Sequence, residues 1–140
     1  MLLHLIVRGK IGKSPEAELV DRYLQRISWP VKLTELPDRG GTVPAGDGKA
    51  ITVVLDEKGK ALSSTDFAAR LEGWRDQGRR EVRFLIGAAD GHDTTTRDEA
   101  DLLLSFGPAT WPHMMARAML AEQLYRAISI LSNHPYHRDG

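Results

Sequence analysis

The order of apolar runs predicts an α/β fold: a parallel sheet covered by helices on both faces. Three observations carry that expectation. Short β-branched or leucine-rich runs alternate with amphipathic helical stretches along the whole chain, and such alternation is satisfied by parallel strands joined through helices. The 140 residues, 41% hydrophobic and 27% charged, suit a single domain over 1–140 with a real core. Gly, Pro and polar clusters separate the runs where turns are needed.

Leu2–Val7 reads as a strand buried on both faces, since it is apolar without alternation. Ser14 is a natural N-cap, Pro15 fits the first helical position, and Glu16 complements the positive end of the helix dipole. Val20, Tyr23, Leu24 and Ile27 follow at helical spacing, and the helix must stop before Pro30. Val31–Leu36 is a second, less apolar strand. Pro37–Lys49 holds Gly40, Gly41, Gly46 and Gly48 with Pro37 and Pro44 and scarcely an apolar anchor, so it predicts a mobile loop. Gly48-Lys49 invites comparison with a phosphate-binding P-loop, but Val43 stands where its first glycine belongs and Ala50 where Ser or Thr belongs.

Ile51–Leu55 predicts a core strand ending in the polar turn Asp56-Glu57-Lys58-Gly59-Lys60. Ser63 with Asp66 resembles a capping box, opening a helix through Phe67, Leu71 and a core Trp74 that stops near Gly78. Val82–Ile86 is a fourth strand running into Gly87-Ala88-Ala89-Asp90-Gly91, where glycines permit a tight turn. Thr96–Asp101 predicts a short helix and Leu102–Ser105 a short fifth strand. The last helix, about His113–Ser132, takes Met115, Ala118, Met119, Leu124, Tyr125, Ile128 and Leu131 as its apolar stripes.

Composition narrows the functions. Nineteen Lys and Arg balance nineteen Asp and Glu, so any nucleic-acid site is a local patch. The absence of cysteine removes disulfide, thiolate and Cys-zinc chemistry. MLLHLIVRGK is too short an apolar run for a signal peptide and no run suits a bilayer, which predicts a cytoplasmic protein with no membrane association. Ligands of parallel sheets sit beyond the carboxyl ends of strands. The pocket is therefore expected at Leu55, at Gly87, and at the loop Phe106–Trp111. The tail His134-Pro135-Tyr136-His137-Arg138 is unusually rich in groups that grip ligands.

Leu85-Ile86-Gly87, then Ala109-Thr110-Trp111-Pro112-His113, then Glu122-Gln123-Leu124-Tyr125-Arg126-Ala127 and the terminal Pro135-Tyr136-His137-Arg138 resemble the RlmH family of SPOUT-class RNA methyltransferases. The resemblance covers nearly the whole chain, and its ordered C-terminal set is specific. It implies a C-terminal trefoil knot, which topology rules alone would exclude. It implies S-adenosyl-L-methionine as cofactor, methylation of N3 of a pseudouridine in 23S ribosomal RNA, and a homodimer acting on the assembled ribosome. It assigns cofactor contacts to Leu55, Gly87, Phe106, Gly107, Pro108, Ala109, Thr110 and Trp111. Two departures stand out. The charged helix usual between the second and third strands is here the loop Pro37–Lys49, and the usual glycine pair is Gly87-Ala88.

For the chemistry, His137 is the first candidate to contact RNA or assist loss of the base proton. Tyr136 suits base stacking, and Arg126, Arg138 and His134 suit RNA contacts. A twofold dimer offers one subunit's tail to the other's pocket. Plainer readings stand beside these. Arg126 is four residues after Glu122, as in an ordinary surface ion pair. His113 starts a helix and suits a structural role; Met114, Met115 and Met119 suit core or interface packing. His134 and His137 have H-x-x-H spacing but too few companions for zinc, so no metal is expected. The competing function is a non-catalytic RNA- or ribosome-binding α/β module.

Overall fold

The computed structural model describes residues 1–87 and 94–138. Its strands are β1 (Leu2–Arg8), β2 (Val31–Leu36), β3 (Ala50–Ala61), β4 (Glu81–Ile86) and β5 (Leu102–Ser105); its helices are α1 (Pro15–Arg26), α2 (Ser64–Asp76), α3 (Thr94–Asp98) and α4 (His113–Leu131). The strands form one parallel sheet in the order β2-β1-β4-β3-β5. Both expected caps are present: Ser14 Oγ accepts from Ala17 N–H and Ser63 Oγ from Asp66 N–H, each at 3.1 Å.

Alternation along β1 divides the core. Leu3, Leu5 and Val7 face one side with Val53, Val82, Phe84 and Ile86, where they meet Phe67 and Leu71 of α2 and Leu120, Leu124, Ala127 and Ile128 of α4. α4 packs against both α1 and α2, so these three helices share that face. The opposite face is thinner. Ile6, Val54 and Leu85 line it, with Leu36, Val43, Ala100 and Leu103 partly buried against them.

Val43 belongs to the segment 37–49, which has no regular structure but is fastened to the sheet. The Arg8 guanidinium donates to the carbonyls of Pro37 and Gly40, and Arg83 donates to the carbonyl of Pro44. A Cβ on Gly46 would come 2.7 Å from Arg83 Cδ, so glycine is what lets the segment lie that close. His4 is buried on this face, with Nε2 2.7 Å from Thr34 Oγ1 and Nδ1 3.6 Å from Glu81 Oε1. Burial lowers its pKa, and the opposing pull of Glu81 does not restore it.

The structure corrects four expectations. β3 does not end at Leu55: Leu55 and Lys60 both pair with Leu104, so 56–59 form a bulge and the strand resumes to Ala61. Those polar residues are tolerated because β3 there pairs only with the edge strand β5, leaving a wet side. The short helix is Thr94–Asp98, because Asp101 is already tied to β3, its N–H on Thr52 O at 2.9 Å and its carboxylate on Thr52 N–H at 2.8 Å. Trp74 is only partly buried against the core and lines an open groove with Lys60 and Arg70. Met115 is 41% exposed while Arg117 is 1% exposed. α4 is apolar on most sides, so its periodicity does not select the buried stripe. The tight turn expected over Gly87-Ala88-Ala89-Asp90-Gly91 falls, from Ala88 on, outside the described residues.

Candidate functional site

Parallel strands put every carboxyl end on one edge of the sheet. The last rung between β3 and β4 pairs Val54 with Leu85, so Leu55 and Ile86 are the next residues along and Gly87 follows. The β3 bulge and the loop after β5 lie alongside and are joined by side chains. Thr110 Oγ1 donates to Glu57 Oε2 at 2.7 Å. Ser105 Oγ accepts from Gly107 N–H at 3.0 Å and lies 3.1 Å from the Glu57 carbonyl and 2.9 Å from the Gly107 carbonyl. Asp56 braces the bulge from within, accepting from Lys58 N–H at 2.8 Å, and pairs with Arg97 of α3 at 2.9 Å.

Two glycines shape this edge. A Cβ on Gly59 would come 2.6 Å from the Leu103 carbonyl carbon and 2.7 Å from its oxygen, so only glycine lets the bulge close on β5. Gly107 has φ +109 and open space where a Cβ would be. The loop therefore presents no side chain at Gly107, whose N–H is held by Ser105 Oγ. Around it Pro108, Ala109 and Thr110 are exposed, Phe106 is half-buried and Trp111 is 42% exposed. Leu55, Gly87, Phe106, Gly107 and Thr110 thus come from neighbouring turns of one edge.

The tail folds back on α4. Asn133, at φ 58, takes the left-handed position after the helix; its N–H reaches Ile130 O at 3.2 Å and the His134 N–H reaches Ser129 O at 2.8 Å, a Schellman pair. Tyr136 then stacks edge-on against Tyr125, centroids 4.6 Å apart, and donates to Glu122 Oε1 at 3.1 Å. Arg126 donates to the same oxygen through Nε and Nη2 at 2.9 and 2.6 Å, and its guanidinium carbon lies 4.8 Å from the Tyr136 ring centroid. The surface ion pair considered for Arg126 is therefore present, but inside a larger cluster.

Protonation in this cluster follows from its contacts. Burial, with the hydroxyl of Tyr23 and the carboxylate of Glu122, pushes the Tyr136 phenol above its ordinary value, so it stays a donor at neutral pH. His137 Nδ1 is 3.1 Å from Arg126 Nη1. Arginine only donates, so this nitrogen accepts, and a neutral His137 carries its proton on Nε2. His134 and Arg138 are exposed at either end of the tail. No group of three or more His, Asp or Glu suited to a metal is present among the described residues. No described helix is long and apolar enough to cross a membrane.

Periodicity and motif spacing gave no hint of two residues. Glu57 joins the two loops, and its only sequence signal is the polar interruption it shares with Gly59. Arg117 reaches from α4 to Glu35 Oε2 at 2.7 Å and to the carbonyls of Gly9 and Arg8 at 3.0 and 3.3 Å, tying the helix to the ends of β1 and β2. Burial raises the Glu35 pKa, but the Ile11 N–H and Arg117 outweigh it and the net shift is downward.

The family model described as "Predicted SPOUT methyltransferase" matches residues 1–137. The chain belongs to the SPOUT methyltransferase family. Within the family its relatives are close: the Ribosomal RNA large subunit methyltransferase H of Novosphingobium aromaticivorans is 69% identical over all of both chains, and that of Rhizorhabdus wittichii 65% over all of both. The protein of the same name from Paramagnetospirillum magneticum is 47% identical over 99% of each chain. Among solved structures, a probable methylase family protein from Haemophilus influenzae superposes with a TM-score of 0.63 at 9% identity, over 98% of this chain and 70% of that one. That likeness shows a shared fold alone.

Proposed function

We propose that the chain is an S-adenosyl-L-methionine-dependent ribosomal RNA methyltransferase that methylates N3 of a pseudouridine in 23S ribosomal RNA. We infer further that it works as a cytoplasmic homodimer on the assembled ribosome and carries the C-terminal trefoil knot of its class. The observation that carries the reading is the joining of the β3 bulge and the loop after β5 through Glu57, Ser105 and Thr110, on the sheet edge where β4 also ends, with no side chain at Gly107 to fill the space beside the loop. A nucleoside cofactor needs open space against a shaped main chain with apolar walls, which Leu55, Phe106 and Trp111 supply. The relatives named above support the substrate class.

When bound, the sulfonium cofactor supplies an electrophilic methyl group. The chain's own work is to hold that group and the target nitrogen in line and to keep water away, where positioning contributes much of the acceleration. Leu55, Gly87, Phe106, Gly107, Pro108, Ala109, Thr110 and Trp111 form the cofactor cradle. Arg126, Tyr136 and His137 orient the nucleotide, with His134 and Arg138 on the RNA backbone. Arg126 blocks His137 Nδ1 as a base, so the role assigned to His137 is donation from Nε2. In the dimer each tail cluster serves the partner's cradle.

The test is incubation with labelled S-adenosyl-L-methionine and ribosomes from a strain lacking the gene. Label in 23S ribosomal RNA at a pseudouridine is expected. Tight ribosome binding without label would instead support the non-catalytic module.

A further inference from the structure

The cradle uses the carboxyl ends of β3, β4 and β5. The same edge continues through β1 and β2, whose ends carry positive charge that no part of the site described so far employs. β1 leaves into Gly9-Lys10-Ile11-Gly12-Lys13 and β2 into Pro37-Asp38-Arg39. Both turns are fixed. Gly9 N–H donates to Leu36 O at 2.8 Å and Ile11 N–H to Glu35 Oε2 at 2.9 Å. Arg8 donates to the carbonyls of Pro37 and Gly40, on either side of Arg39.

Lys10, Lys13 and Arg39 are exposed, and none of them is in an ion pair among the described residues. Glu35, the carboxylate nearest Lys10, is already engaged by Arg117 and the Ile11 N–H. Asp38 is the other acid here, its Oδ1 turned towards Gly9, 2.8 Å from where a Cβ would stand. On the two turns themselves these three cations face one unengaged acid, Asp38; the acids Glu16 and Glu18 follow on α1. The amino end of α1 is not the attraction. Ser14 caps it, and Glu16 and Glu18 in its first turn repel anions.

We propose that these two turns bind the sugar-phosphate backbone of the RNA whose base enters the cradle. The proposal rests on the RNA methyltransferase reading and locates the nucleic acid on the enzyme. Neighbouring strands lie about 4.8 Å apart, so the β1 turn stands one strand, and the β2 turn two strands, from Gly87. Phosphates flanking a base brought up to a methyl donor at Gly87 reach that far. A cationic rim beside the cradle divides the labour: the rim holds the backbone through charge, the cradle holds the cofactor.

The experiment compares two triple variants of the full-length protein with equal net charge. One, Lys10→Ala/Lys13→Ala/Arg39→Ala, empties the carboxyl edge; the other, Lys32→Ala/Lys49→Ala/Arg80→Ala, removes cations near the amino ends of β2, β3 and β4. Methyl transfer to ribosomes is measured against ribosome concentration and salt, with cofactor affinity by calorimetry and a thermal melt as checks on folding. For the carboxyl-edge variant KM for ribosomes is expected to rise tenfold or more, with kcat within twofold and cofactor affinity unchanged. Its slope of log affinity against log salt is expected to be shallower by about two, at ~0.7 per lost phosphate contact on a single strand. The amino-edge variant is expected to match wild type in all of these. A carboxyl-edge variant with wild-type KM and salt slope overturns the proposal, and so does an equal loss in the amino-edge variant. Failure of the wild-type protein itself to methylate ribosomal RNA is a different result and overturns the underlying reading as well.

Discussion

Arg126 meets three partners at once: Glu122 through two nitrogens, the Tyr136 ring below its plane, and His137 Nδ1. A lysine in its place offers a single point charge and cannot span them. Arg126→Lys is therefore expected to lower kcat at least tenfold while leaving cofactor affinity, read by calorimetry, within twofold; weakened cofactor binding would instead move Arg126 into the cradle. A second residue-scale prediction concerns stability. Arg117 is 1% exposed, so Glu35→Gln leaves a buried guanidinium without its counter-charge. The cost is roughly 3 kcal/mol, at the low end for a buried pair because Glu35 keeps 30% exposure. The sign with pH follows from the depressed carboxyl pKa. Its stabilisation is complete above the unfolded value of about 4.3 and is lost as pH falls through the folded value, so denaturant midpoints of Glu35→Gln should be lower at pH 7 and fall less on acidification. His4 acts in a separate window. Its folded pKa is lowered, so the unfolded chain binds more protons as pH falls below about 6.5, and wild type should lose stability there while His4→Gln loses less. Both helix caps were legible from residue type, because capping is local. Arg117 and Glu57 were not, because their partners lie 82 and 53 residues away in sequence.

At the scale of elements, β3 differs most from its sequence pattern. Asp56-Glu57-Lys58-Gly59-Lys60 has the composition of a turn, and a period-two reading stops where alternation stops. The strand continues because β5 supplies hydrogen-bonding partners from far along the chain and Gly59 has no Cβ to strike Leu103. Gly59→Ala is expected to cost about 1–3 kcal/mol of stability, as overpacking against fixed atoms does. It should also weaken cofactor binding, because the bulge carries Glu57; a fully stable variant with wild-type cofactor affinity would show that the bulge does not shape the cradle. The segment 37–49 has turn composition too, and here composition correctly predicted no regular element. Its attachment by Arg8 and Arg83 could not be read, since main-chain carbonyls have no sequence signature. β1, β4 and β5 were legible because apolar residues dominate their runs, β2 because Pro30 and Pro37 bound it, and the long helix because Pro112 precedes it.

For the molecule as a whole, the sheet order puts every turn of the proposed site on one edge, while the tail cluster sits on α4, held to Tyr125 and Glu122 of its own chain. The edge was predictable from strand alternation. In the proposed dimer, which subunit's tail serves which cradle is a matter between two chains, and no pattern within one chain encodes it. Complementation tests it most directly. Gly87→Val obstructs the cradle and leaves the tail; deletion of Tyr136–Gly140 removes the tail and leaves the cradle. Each protein alone should be inactive in transfer of labelled methyl to ribosomes. Unfolded and refolded together in equal amounts, they should recover roughly a quarter of wild-type turnover, because half of randomly paired twofold dimers are mixed and each mixed dimer holds one intact cradle facing one intact tail. A mixture as inactive as its components would contradict the account, since it would mean that each tail works on the cradle of its own chain.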